Sequence, residues 1–224
     1  MSAEASGSTG PRRWLLIVLA CLAVGGLAFA IGRFSAFGTS PSTPSTSSAE
    51  AGFARDMQVH HAQAIAMAME IYRKTDDEQL RALSYDIATG QSGQRGEMFE
   101  WLVSWGLPQS GGPLMGWMAS GESGHEHGGD EAGPAQTEDE ARAAMGMASD
   151  AELDALAQAT GESADCLFLQ LMIRHHEGSV PMAEAVLDLG SEPRVLQVAE
   201  TIRVGQTAEI AAMQSMQERL GCTP

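Results

Sequence analysis

The stretch FARDMQVHHAQAIAMA, starting at Phe53, returns as FLQLMIRHHEGSVPMA, starting at Phe168, and nothing else in the chain constrains its fold as much. Phe53, Met57, His60, His61, Ile65, Met67 and Ala68 fall at the positions of Phe168, Met172, His175, His176, Val180, Met182 and Ala183, with one offset and no gap. This internal duplication carries four of the six histidines. At about 100° per residue, Phe53, Met57, His60, His61, Ala64 and Met67 share one stripe of a helix. Phe168, Met172, His175, His176, Ser179 and Met182 form the matching stripe. Each histidine pair falls near the middle of its helix, so the two pairs can meet at a common centre in a parallel or an antiparallel arrangement.

The rest of the chain supports helix. With 224 residues it can bury a core, aromatics make up only 5% of it, and Ala and Met are abundant. The Val/Ile/Thr alternation of sheets is scarce. The predicted class is all-α. Residues 1–13 are small and polar, end in Arg12-Arg13, and read as a cytoplasmic N-terminus. From Trp14 to Gly32 the chain is apolar and uncharged, long enough to cross a bilayer as a transmembrane helix. The preceding arginines place the rest of the chain outside, as a single-pass protein of the cell membrane. The competing reading is a signal peptide cleaved near Ala30, because Ala28-Phe29-Ala30 fits a small-x-small site. Residues 33–48 contain TSPSTPSTSS, a hydrated linker.

The domain then spans 49–224. A helix from Ala49 to Arg73 is followed by Thr75-x-x-Glu78, a capping-box pattern that opens a second helix ending at Trp105 before Gly106. This gives hairpin one, 49–105. The crossover, 106–162, is rich in Gly, Pro and Glu and reads mostly as loop, with a short helix capped by Ser149-x-x-Glu152. Hairpin two, 163–221, has one helix stopping at Gly190 and another opened by Ser191 and Pro193 and ending at Gly221. Pro181 lies inside the third long helix, where a kink is expected. Two duplicated hairpins joined by one long crossover have the connectivity of a ferritin-like four-helix bundle.

The formal net charge of −16 argues against nucleic acid or an anionic membrane surface as a partner, because either would repel the chain. No Cys-x-x-Cys is present. Cys21 lies in the apolar run, and Cys166 and Cys222 stand at neighbouring ends of an antiparallel hairpin. They are expected to form a disulfide in an oxidising compartment, worth about 3–4 kcal/mol.

Four imidazoles and the thioethers of Met57, Met67, Met172 and Met182 on one interior point to a metal site. The bland alternative is core packing, since Met fills irregular gaps well. Mixed imidazole and thioether donors favour copper, Cu(I) first and Cu(II) as its oxidised partner. Imidazole binds only when neutral, so affinity is expected to fall as pH drops through about 6.5. On the second helix of each hairpin, Gln94 and Glu209 interrupt an apolar face, and Gln94-x-x-Glu97 matches Gln206-x-x-Glu209. Gln94 and Glu209 are expected either to hold the free ring nitrogens of the histidines from behind or to bond backbone or water, while Glu97 is expected to be solvated. In the crossover, His125, His127, Met115, Met118, Met145 and Met147 read as part of a disordered linker or, alternatively, a mobile metal-capturing arm.

At these residues, over roughly Phe53 to Cys222, the chain resembles the bacterial domain-of-unknown-function family 305. That family's pattern is a Met, a His-His pair and a following Met-Ala, usually duplicated, with a Gln-x-x-Glu helix after each copy. Pro181 and the glycines Gly90, Gly93 and Gly96 depart from it. The resemblance implies an exported, often membrane-anchored helical bundle, with some members associated with copper binding and copper tolerance outside the cytoplasm. Carried over by position, it makes Met57, His60, His61, Met67, Met172, His175, His176 and Met182 the candidate ligands.

The expected function is an extracytoplasmic copper-binding protein that buffers or sequesters the ion without catalysis. Alternatives are a membrane-tethered structural bundle without metal, or a ferritin-type di-metal oxidoreductase. The last needs Glu-x-x-His motifs, and no Glu stands three residues before any of the four helical histidines.

Overall fold

A computed structural model of the chain describes residues 11–37, 43–121 and 137–222. His125 and His127 lie outside them. The described residues are helical and contain no strand. They fall into two compact units, one ending at Thr43 and the other running from Pro44 onward.

The first unit holds α1 (Pro11–Phe37). Its side chains are described over residues 14–29, and Leu15, Leu16, Leu22, Leu27 and Phe29 among them are exposed. Among the described residues, no helix is long and apolar enough to cross a membrane. Residues 30–32, where the expected span ends, lie outside the described side chains.

The second unit is built on α2 (Ala49–Lys74) paired with α3 (Glu78–Ser104), and α6 (Gly161–Leu189) paired with α7 (Pro193–Leu220), with α2 packed against α6. Each start has a local cause. The Ser48 hydroxyl accepts from the Ala51 N–H to cap α2. The cap of α3 is Asp77, which accepts from the Leu80 N–H at 2.8 Å, and not Thr75 as the capping-box pattern predicted. Thr75 is already the last residue of the preceding turn, its N–H bonded to the Ile71 carbonyl. Similarly, Glu192 caps α7, while the Ser191 N–H donates to Glu50 at the start of α2. That bond ties the end of α6 to the beginning of α2, so the two central helices are antiparallel. Gly221 closes α7 in the left-handed conformation, φ 70°, which glycine adopts without the steric penalty of a side chain. Pro181 leaves α6 continuous from Gly161 to Leu189.

Two apolar clusters fill the unit. One contains Phe53, Met57, Met98, Met145, Met147 and Met182, the other Met67, Phe168, Met172 and Met213. The antiparallel pairing therefore sets Met57 of one copy beside Met182 of the other, and Met67 beside Met172. Burying each such side chain stabilises the fold by about 1.5–3 kcal/mol. Cys166 and Cys222 are disulfide-bonded, with Cα atoms 5.4 Å apart.

The crossover departs from the expected loop. Beyond α5 (Asp150–Gln158), which Ser149 and Glu152 open with a capping box as predicted, it contains α4 (Glu138–Ala144), opened by a second capping box at Thr137 and Glu140. Met145 and Met147 are buried, and Met115 and Met118 pack against the same cluster, which overturns the reading of these methionines as part of a disordered or mobile arm. Their register is fixed by polar contacts. Gln63 on α2 accepts from the Ala148 N–H at 2.7 Å and donates to its carbonyl at 2.8 Å. Arg174 on α6 makes a two-pronged bond to Glu152, both arms 2.7 Å. At the other end Asp56 is buried and accepts from the Met115 N–H and the Trp117 indole at 2.7 and 2.9 Å.

Candidate metal centre

Between the two apolar clusters lies a layer of four histidines, His60 and His61 from α2 and His175 and His176 from α6, all with no exposed surface. The antiparallel crossing of α2 over α6 brings the rings of His60 and His175 to 3.6 Å between centroids, 31° from coplanar. Within each pair the rings stand 6.4 and 6.2 Å apart.

Three of the four rings are held from behind. His61 donates Nε2–H to the Gln94 side-chain oxygen at 2.8 Å, and His176 donates Nε2–H to Glu209 at 2.7 Å. Both bonds join residues 33 apart in sequence, so they occupy the same place in the two repeats. The structural equivalents are therefore Gln91-x-x-Gln94 and Gln206-x-x-Glu209. The sequence match of Gln94-x-x-Glu97 to Gln206-x-x-Glu209 is one helical turn out of register. Glu97 pairs instead with Arg194 at the surface. The offset that relates the histidine segments in fact continues without a gap through the second helix, relating Leu80 to Val195, Ile87 to Ile202 and Met98 to Met213. That spacing was the available signal.

The third ring, His60, donates Nε2–H to the main-chain carbonyl of Met145 at 2.9 Å. No side-chain pattern announces a backbone acceptor. Two glycines make the approach possible. A Cβ on Gly178 of α6 would stand 2.0 Å from the Met145 carbonyl oxygen, and one on Gly146 (φ 71°) would stand 2.2 Å from that of Arg174.

Holding Nε2–H in this way leaves the Nδ1 lone pairs of His60, His61 and His176 as the free donors of those rings. The Nδ1 atoms of all four histidines, together with Nε2 of His175, are buried and have no hydrogen-bond partner among the described residues. Each such atom costs about 1–3 kcal/mol if left unsatisfied. Burial lowers the ring pKa of His60 to about 3 and of His61 to about 4, with His175 well below its usual value, because the interior disfavours an imidazolium. Neighbouring rings add to the effect on His60 and His175. Protons therefore bind these three rings less readily than they bind a free imidazole.

The donor set fits a soft ion. Met57, Met67, Met172 and Met182 are all buried beside the layer, one pair on each side. Among the described residues, no group of three or more His, Cys, Asp or Glu side chains is arranged to hold a metal.

Residues 50–217 match the family described as Domain of unknown function (DUF305). A DUF305 protein of Streptomyces coelicolor, described as secreted, is 36% identical, with a TM-score of 0.68 over 80% of this chain and 98% of its own. A DUF305 fragment from Deinococcus radiodurans is 33% identical, with a TM-score of 0.61 over 76% and 96%. CopM in its Cu(I)-bound form is 25% identical, with a TM-score of 0.54 over 75% and 94%. No curated protein sequence matches the chain.

Proposed function

The chain belongs to the DUF305 family, and from that membership we propose that it is an extracytoplasmic protein that binds copper and buffers or sequesters it. The observation that carries the reading is the set of buried, unpartnered imidazole nitrogens contributed by both repeats and flanked by methionines. His60, His61, His175 and His176 would supply the imidazole donors and Met57, Met67, Met172 and Met182 the soft ones, while Gln94 and Glu209 orient the rings of His61 and His176. Neutral imidazole and thioether release no proton on binding, and thioether does not oxidise to a disulfide. The likeness to a copper-bound protein supports the choice of metal.

The proposal includes no catalytic step. The ferritin-like frame lacks the Glu-x-x-His carboxylates that di-metal oxidation uses. Placement outside the cytoplasm rests on the apolar run Trp14–Gly32, on the disulfide, which persists in oxidising compartments, and on the likeness to a protein described as secreted. The run would serve as a membrane anchor or as a leader cleaved near Ala30. The exposed apolar side chains of α1 favour a lipid environment for it.

Titration of the purified protein with Cu(I) against a chromophoric chelator tests the reading. Binding should be lost in a variant carrying His60→Ala, His61→Ala, His175→Ala and His176→Ala, its helicity verified by circular dichroism. Equal binding by the two proteins would refute it.

A further inference from the structure

A histidine layer with no exposed surface needs a way in, and one face of it is closed. The crossover lies over α2 and α6 there, with the Met145 carbonyl on His60 and Ala148 pinned by Gln63. On the side covered by α3 and α7 the packing is incomplete. A cleft of about 60 Å³ opens between these helices, lined among others by Gly90, Gln91 and Gln94 from α3 and by Gly205, Gln206 and Glu209 from α7. These are the same three positions of the two repeats, so the cleft lies on the pseudo-twofold axis that relates the hairpins. Its floor includes Gln94 and Glu209, the groups bonded to His61 and His176 of the histidine layer.

Two features of the lining have no structural explanation. Gln91 is only 4% exposed, yet neither atom of its amide has a partner, and the Gln206 amide nitrogen, equally buried, has none either. Buried amides left this way are costly. Gly90 and Gly205 lie in helix interiors, where each costs about 1 kcal/mol relative to alanine. A Cβ at either would meet nothing within 4 Å, and neither has a positive φ. No close approach and no backbone strain demands glycine at these positions. What the glycines do provide is open space at the cleft.

We propose that the cleft between α3 and α7 is the passage by which copper enters and leaves the buried histidine layer, with the side-chain oxygens of Gln91, Gln94, Gln206 and Glu209 carrying the ion from water to imidazole. Oxygen donors hold a soft ion weakly, which suits transfer better than storage. The inference rests on the copper-binding reading above.

Filling the cleft separates rate from affinity. The full chain with Gly90→Leu and Gly205→Leu is compared with the wild type by stopped-flow transfer of Cu(I) from a chromophoric chelate, and by equilibrium competition with the same chelator. Loading should slow by about tenfold, the effect of a modest added barrier, with stoichiometry and Kd unchanged. The alanine pair, which raises helix propensity while adding little bulk, should slow loading less, and it keeps the test readable if the leucine pair does not fold. Gln91→Leu removes the amide without adding a copper ligand, and should also slow loading. Wild-type rates in the Gly90→Leu/Gly205→Leu protein, at full stoichiometry, would overturn the passage and leave copper binding standing. A wild-type protein that takes up no copper would overturn both.

Discussion

At the scale of single residues, the histidine layer is a set of bases kept neutral by burial. His60, His61 and His175 have lowered pKa values in the folded chain because the interior excludes the water that would stabilise an imidazolium. In the unfolded chain they titrate near 6.5. Between these limits the unfolded state binds protons that the folded state refuses. Their contribution to stability is therefore complete above about pH 6.5 and is lost as pH falls toward 4, with a slope of up to about 1.4 kcal/mol per pH unit for each ring. Thermal unfolding of the copper-free protein at pH 7.5, 6 and 5 should show Tm dropping through this series, and a flat profile would contradict the burial argument. The histidines, the methionines and the polar residues Gln94 and Glu209 were all readable as residues, because a polar group on an apolar stripe stands out against its neighbours. Gln91 was not. It belongs to the same stripe, but the letters of Gln94-x-x-Glu97 coincide with those of Gln206-x-x-Glu209, whereas the true equivalents, Gln94 and Glu209, differ in chemistry.

At the scale of elements, the four long helices follow from periodicity and from punctuation by Gly, Pro and capping side chains. The crossover does not, and it contributes to the site. Its Met145 carbonyl orients His60, and that contact depends on two glycines in different elements, Gly146 after α4 and Gly178 within α6. Gly178→Ala is expected to push the segment off α6 and destabilise the domain by about 1–3 kcal/mol, the usual cost of overpacking. Chemical denaturation would measure it. The same variant should leave helicity intact, since alanine is the better helix former, so a loss of stability with unchanged circular dichroism identifies the contact as the cause. A sequence rich in Gly and Pro between two periodic segments looks like a linker whether or not it packs, so the burial of Met145 and Met147 is not legible in it.

At the scale of the whole molecule, the duplication generates a pseudo-twofold arrangement in which each copy's leading methionine lies beside the other copy's trailing one, on either side of a polar layer. The crossover breaks that symmetry by adding Met145 and Met147 to one cluster alone. The Cys166–Cys222 bond closes 56 residues of chain, so it restricts the unfolded ensemble by about 4 kcal/mol. Cys166→Ser with Cys222→Ser should lower the unfolding free energy by that order, and reductant should do so in the wild type with no effect on the double variant. By itself, the sequence determined the four long helices, the repeat, the residues turned inward and the pairing of the two domain cysteines. All of these rest on local periodicity or on the geometry of a short hairpin. Only the tertiary structure decided that α2 and α6 cross antiparallel with His60 on His175, that a backbone carbonyl from the crossover completes the layer, and that a cleft stays open between α3 and α7. Those features depend on which surfaces meet across long separations in the chain, and contacts of that kind leave no periodic trace in the residues that make them.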